Sequence, residues 1–431
     1  MDERAILIVT ATLFAWGLVS RRLERADLSA PIVFTLVGGL VAALGLEDVE
    51  AAPETVKPLV EITLVWVLFS DAARVRLQEI RQDAGRYVRL LGIGLPLSML
   101  AGWGLGVVLF PGLGVWLALL VGAALAPTDA ALGVPVVTNK VVPSRIRRLI
   151  AVESGLNDGI ATPVVMLAIA GSASAEGIAG APGAVEAVLE LLLGVVVGSA
   201  VGFGGGWLLR RVRQLGWAEE NFAGIAVLAL AAAAYAAALV LHGNGFVAAF
   251  CGGMAFGAAA GRRGPAELLF LEQASGLASL LVWLVFGAIA LPLIPERAEA
   301  TTILYAVLSL TAVRMVPVAV ALVGAHLDVR TVAFVGWFGP RGLASLVFAL
   351  LALEELGPDA DEAVAVIATT VFLSVLAHGA TAGPVADRYG RAMATVSEPG
   401  GPVPDLLVRG LPRRTPTVAQ REAGRDDRPD G

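Results

Sequence analysis

The chain is a succession of apolar runs long enough to cross a lipid bilayer, and few folds tolerate that pattern. A spanning helix needs about 20 mostly apolar residues. Thirteen segments meet or approach that length: 6–20, 30–46, 59–72, 88–110, 113–137, 149–170, 184–209, 221–241, 245–261, 268–291, 301–323, 332–353 and 363–383. Hydrocarbon offers no water to backbone polar groups, so only helices or a closed barrel can span it. Barrel strands alternate over about ten residues, whereas these runs are continuous. The expected fold is an all-α polytopic membrane protein of about 13 transmembrane helices. With 57% of residues hydrophobic and 16% charged, an ordinary soluble enzyme is excluded.

Charge sorts the loops by side. One set carries 20 Lys and Arg, from Arg21 and Arg22 through Lys140 and Arg145 to Arg388 and Arg391. The other set has only Arg4, Lys57 and Arg297. Short cytoplasmic loops retain basic residues, so the odd helix count puts the N-terminus outside and the C-terminus in the cytosol of a cell membrane. Met1-Asp2-Glu3-Arg4 has no basic n-region and no small-residue cleavage site follows, so the first helix is expected to be retained. Cys251, the single cysteine, excludes an internal disulfide and a thiolate metal cluster. Residues 397–431 are rich in Pro, Gly and Arg and read as a disordered cytoplasmic tail. The small-residue run Gly198 to Gly206 suits close helix packing.

Five ionisable residues lie deep in apolar runs: Asp129, Glu153, Asp158, Arg314 and Arg341. One charge at a helix centre costs roughly 2.5–3.5 kcal/mol on translocon scales, so such residues are functional candidates by default. Their formal sum is one negative charge, which one proton or one monovalent cation would neutralise. Two segments carry helix breakers at these residues. In the fifth, Ala126-Pro127-Thr128-Asp129 removes a backbone donor; in the twelfth, Gly336-Trp337-Phe338-Gly339-Pro340-Arg341-Gly342 interrupts the midpoint. Paired interrupted segments point to a transport site built from unwound, crossing helices. Asp129 suits exposed half-helix N-termini there, and Arg341 suits exposed C-terminal carbonyls.

The sixth segment reads Glu153-Ser154-Gly155-Leu156-Asn157-Asp158-Gly159. Ser154 and Asp158 are four apart and share a face, as do Glu153 and Asn157 on the adjacent one. Thr128 adds a hydroxyl from the broken helix. Hard cations want such oxygen ligands, whereas a transition metal would bring His or Cys. Burial favours the protonated form of an unpaired carboxyl, so proton and cation can exchange there. Glu61 and Asp71 sit near the ends of the third segment and read as boundary residues; Glu272 reads as interfacial. His378 reads as a packed, hydrogen-bonded residue, and His242 and His326 fall near helix ends.

Together these motifs resemble the monovalent cation:proton antiporters of the NhaP and NHE type, over nearly the whole chain from Ile6 to about Arg391. The resemblance implies a homodimer in the lipid bilayer. Its dimerisation part would be about residues 1–86 and 184–297, and its ion-transporting core about 87–183 and 298–396. It implies that Asp158 exchanges Na+ (and Li+) for H+, with Thr128, Ser154 and Glu153 as further ligands of the ion. Arg314 would organise Asn157 and Glu153, while Asp129 and Arg341 would stabilise the crossing of the broken helices. Ala130 stands where many members have Pro. Where electrogenic relatives have two adjacent aspartates this chain has Asn157-Asp158, which implies one proton per cation and electroneutral exchange. No cofactor, no nucleic-acid partner and no enzymatic activity are expected. A K+/H+ antiporter on the same scaffold is the alternative. An intramembrane hydrolase using Ser154 with His242 or His378, or a passive channel, would leave the buried charges without a role.

Overall fold

The computed structural model describes residues 3–24, 28–45, 53–75, 77–129, 132, 134–178, 183–261, 264–297 and 299–394. They belong to one compact unit, Met1–Val396, and the tail expected from residue 397 lies outside the described residues. The described residues are helical throughout, and eight stretches among them are long and apolar enough to cross a membrane.

Seven helices pack mainly on one another: α1 (Glu3–Glu24), α2 (Ala30–Ala43), α3 (Pro53–Arg74), α9 (Ala184–Gln214), α10 (Glu220–Val240), α11 (Gly245–Ala259) and α12 (Gly264–Arg297). Their seams are made by small residues. A Cβ on Gly198 or Gly202 of α9 would sit about 2 Å from the carbonyls of Ala248 and Gly252 in α11, so the two backbones touch. Gly45 ends α2 with φ +57, and its N–H closes on Ala42 O at 3.0 Å.

The second group holds α4 (Leu77–Arg89), α5 (Leu95–Leu109), α6 (Gly114–Ala124), α7 (Val134–Val137), α8 (Ser144–Ala175), α13 (Ala300–Leu310), α14 (Ala312–Ala321), α15 (Val329–Trp337), α16 (Leu343–Leu356) and α17 (Asp361–Ala394). The groups meet where α3 and α11 face α8, α3 faces α16, and α12 faces α17.

The thirteen segments of the sequence map onto these elements in order, and two differ unexpectedly in their interior. The fourth is α4, a π-turn over Leu90–Gly94, then α5; Pro96 in the first turn of α5 has no N–H, and the Leu95 N–H reaches back to Leu90 O. The eleventh breaks at Thr311 (φ −112, ψ −91) into α13 and α14. Pro317 lies inside α14, six residues beyond that break, and frees the carbonyl of Val313 rather than that of Thr311, whose carbonyl accepts the Met315 N–H at 2.7 Å. The fifth and twelfth break where Pro127 and Gly339-Pro340 stand, as their composition requires.

Candidate functional site

The two interrupted segments meet and satisfy each other's open backbone groups. The α6 segment ends at Ala124; its following carbonyls have no helical partner. Arg341, fully buried in the α15–α16 break, donates through Nη1 to Ala126 O (2.9 Å) and Pro127 O (3.2 Å). Its Nη2 reaches Ser309 O at 3.2 Å, two residues before the Thr311 break. Ser345 donates to Ala124 O at 2.6 Å. In the other direction, Asp129 Oδ2 accepts the Leu343 N–H at the start of α16 (3.1 Å), and the Asp129 N–H donates to Pro340 O at 2.8 Å. Gly342 permits that approach: a Cβ there would fall 2.1 Å from Asp129 Oδ2. An anion thus sits at a helix start and a cation at two helix ends, as the backbone dipoles favour.

Beside the crossing, α8 presents the cluster of residues 153–158. Thr128 Oγ1 lies 3.0 Å from Ser154 Oγ and accepts Asn157 Nδ2 at 2.8 Å. Glu153, 2% exposed, takes Arg314 Nη2 at 2.6 Å. No hydrogen bond joins Arg314 to Asn157; Asn157 turns to Thr128, and its Oδ1 has no hydrogen-bond partner among the described residues. Asp158 is 9% exposed. Its backbone carbonyl accepts Thr162 Oγ1, but its carboxylate has no hydrogen bond or ion pair among the described residues.

The structure therefore brings together all eight residues singled out in the sequence: Thr128, Asp129, Glu153, Ser154, Asn157, Asp158, Arg314 and Arg341. Two placements were not legible there. Asp71 faces the cluster rather than the boundary, since a Cβ on Gly155 would stand 3.8 Å from Asp71 Cβ. Ser374 accepts the Arg341 N–H at 2.7 Å; a serine on α17 has no apolar pattern that singles it out. His378 is packed and hydrogen-bonded through both ring nitrogens, as its sequence position suggested.

A multi-pass helical membrane protein with two broken helices crossing around buried charges is a carrier by architecture. Residues 8–388 match the family described as sodium/hydrogen exchanger, transmembrane. The chain belongs to that family. It is 27% identical over 404 residues to the K(+)/H(+) antiporter NhaP of Alkalimonas amylolytica, covering 88% of this chain and 66% of that one. It is 28% identical over 180 residues to the Na(+)/H(+) antiporter ApNhaP of Aphanothece halophytica, covering 42% and 34%. The sodium proton antiporter MjNhaP1 from Methanocaldococcus jannaschii superposes with a TM-score of 0.70 at 20% identity, over 90% of this chain and 98% of that one. The match spans just under two thirds, or less, of the length of these curated relatives.

Proposed function

We propose that the protein is a secondary antiporter exchanging Na+, and Li+, for H+ across the cell membrane. The observation that carries this reading is Asp158: a buried carboxylate with no hydrogen bond or ion pair among the described residues, one helical turn from Ser154, whose hydroxyl meets that of Thr128 at 3.0 Å. A buried charge without a partner is costly, and either a proton or a bound cation removes the cost. The two forms compete for one carboxylate, which is the elementary requirement of exchange. Thr128, Ser154 and Glu153 complete the ligand set, with Glu153 oriented by Arg314. Asp129 and Arg341 hold the crossing. With one titratable exchange site the cycle carries one proton per cation and no net charge.

Alternating access then needs a moving part. The helices α4–α8 and α13–α17 form the transporting core (about residues 87–183 and 298–396). The helices α1–α3 and α9–α12 (about 1–86 and 184–297) form the scaffold, and through it a homodimer. The basic loops face the cytosol, with the N-terminus outside. The protein performs transport only and needs no cofactor.

The test is exchange in proteoliposomes with a trapped pH dye. Na+-driven dequenching is expected from the wild type and none from Asp158→Asn; wild-type rates in that variant would overturn the assignment. A second reading, K+/H+ exchange on the same site, is favoured by the name of the Alkalimonas relative. A Na+ series against a K+ series in the same vesicles separates the two.

A further inference from the structure

The α15–α16 break has a support on α17 that is not part of the ion site. In a continuous helix the Arg341 N–H would donate to Trp337 O four residues back. The break abolishes that bond. The Arg341 N–H donates instead to Ser374 Oγ at 2.7 Å. His378 Nδ1 lies 3.1 Å from Ser374 Oγ and 2.9 Å from the Ser374 backbone carbonyl, and His378 Nε2 lies 2.9 Å from Trp337 O. Trp337 O also takes the Gly339 N–H at 2.8 Å, which closes the turn. Ser374 and His378 are four apart on α17 and almost fully buried, 0% and 1% exposed.

We propose that Ser374 and His378 are positioning residues that replace the missing helical hydrogen bond between Trp337 and Arg341. The chain of donors runs Arg341 N–H to Ser374 Oγ, Ser374 O–H to His378 Nδ1, and His378 Nε2–H to Trp337 O. This order requires the neutral ring protonated on Nε2. Each neutral tautomer leaves one ring lone pair toward a carbonyl, Ser374 O at Nδ1 or Trp337 O at Nε2, but only at Nδ1 does a hydroxyl, that of Ser374, stand ready to donate to it; a charged ring would add a cation to a core already holding Arg314 and Arg341.

The bridge bears on the ion because it fixes residues 338–341. Within that stretch a Cβ on Gly339 would lie 2.9 Å from Thr128 Cγ2, and Pro340 O holds the Asp129 N–H at 2.8 Å. Where the break sits determines where Thr128 sits. A loosened break therefore weakens cation binding before it affects assembly.

This inference rests on the antiport reading, so its test has one arm that does not. In full-length protein, 15N NMR of His378 is expected to show the Nε2–H tautomer, with the signal assigned by its loss in His378→Gln among the three histidines. The Arg341 amide is expected to lose hydrogen-exchange protection in Ser374→Ala. A ring protonated on Nδ1, or unchanged Arg341 protection, would overturn the bridge whatever the protein transports.

In proteoliposomes, Ser374→Ala and His378→Leu are each expected to raise the half-saturating Na+ (or K+) concentration about tenfold. That matches the loss of about one buried hydrogen bond. Maximal exchange should stay within about twofold of wild type, and the double variant should be no worse than either single. His378→Gln keeps a donor for Trp337 O and an acceptor for Ser374, and is expected to restore most of the affinity. Unchanged half-saturation in Ser374→Ala, multiplicative singles, or a Gln variant as weak as Leu would each refute the inference. If His378→Leu does not assemble, Ser374→Ala, which removes one hydroxyl, decides the matter. Wild-type protein that exchanges neither ion would instead refute the antiport reading.

Discussion

Removing Arg314 should leave a buried charge without its partner. Arg314 and Glu153 are 1% and 2% exposed and joined at 2.6 Å. Breaking one side of a buried pair typically costs 3–5 kcal/mol. Arg314→Met should therefore lose about 3–5 kcal/mol of unfolding free energy, because the Glu153 carboxylate stays buried without its partner. The double variant Glu153→Gln/Arg314→Met removes both charges and should be much closer to wild type. Denaturant titration in detergent compares wild type, the single variant and the double variant. A single variant as stable as wild type, or a double variant as weak as the single, would refute the account of Glu153 as a carboxylate held by Arg314.

Further outcomes follow from the crossing and the outer face. Gly342→Ala should lose exchange and stability together, because the new methyl meets the Asp129 carboxylate at 2.1 Å; wild-type melting and exchange would show that Asp129 is not held there. Arg341→Lys should retain part of the function, since an ammonium can serve some of the three carbonyls but not in the planar fork that Arg provides; Arg341→Gln should be worse, by proteoliposome rate and by melting. Lys57 on α3 pairs with Glu354 on α16, linking the two helix groups beside a cavity of about 200 Å³ lined by Glu61, Glu190 and Glu355. With its side chain 41% exposed, Lys57→Gln should change the exchange rate by less than about fivefold, and less still in high salt. Exchange under a voltage clamped by valinomycin and K+ should be independent of that voltage; clear voltage driving would refute one-for-one stoichiometry.

Much of this architecture was legible because membrane helices announce themselves locally. Apolar length gives the helices, and Pro127 and Gly339-Pro340 give two of the breaks within a few residues of where they fall. The Thr311 break and the π-turn at Leu90–Gly94 were not legible, because neither has a breaker at the spot; the π-turn accommodates Pro96 just beyond it. Partner choice was harder still. Arg341 meets Ala126 across 215 positions, and Asn157 chooses Thr128 over Arg314. Those are choices between chemically equivalent partners, settled by where packed backbones deliver them.

What the geometry adds to the sequence count is which charge is left over. Counted along the chain, three acids and two bases leave one negative charge without saying whose it is. In the fold Arg314 answers Glu153, and Arg341 answers the backbone carbonyls of Ala126, Pro127 and Ser309. Asp129 answers the backbone N–H of Leu343 at the start of α16. Helix ends thus absorb one anion and one cation as partial charges, and the ion pair absorbs another of each. Among the described residues Asp158 is the remainder, one turn along α8 from Ser154, which meets Thr128 of the unwound α6 segment. On the proposed antiport reading, the site would bind its cargo with the one of these five groups that the fold does not use for itself. That is why neutralising Asp158 should silence exchange with little loss of stability, whereas neutralising Arg341 or Arg314 should damage both.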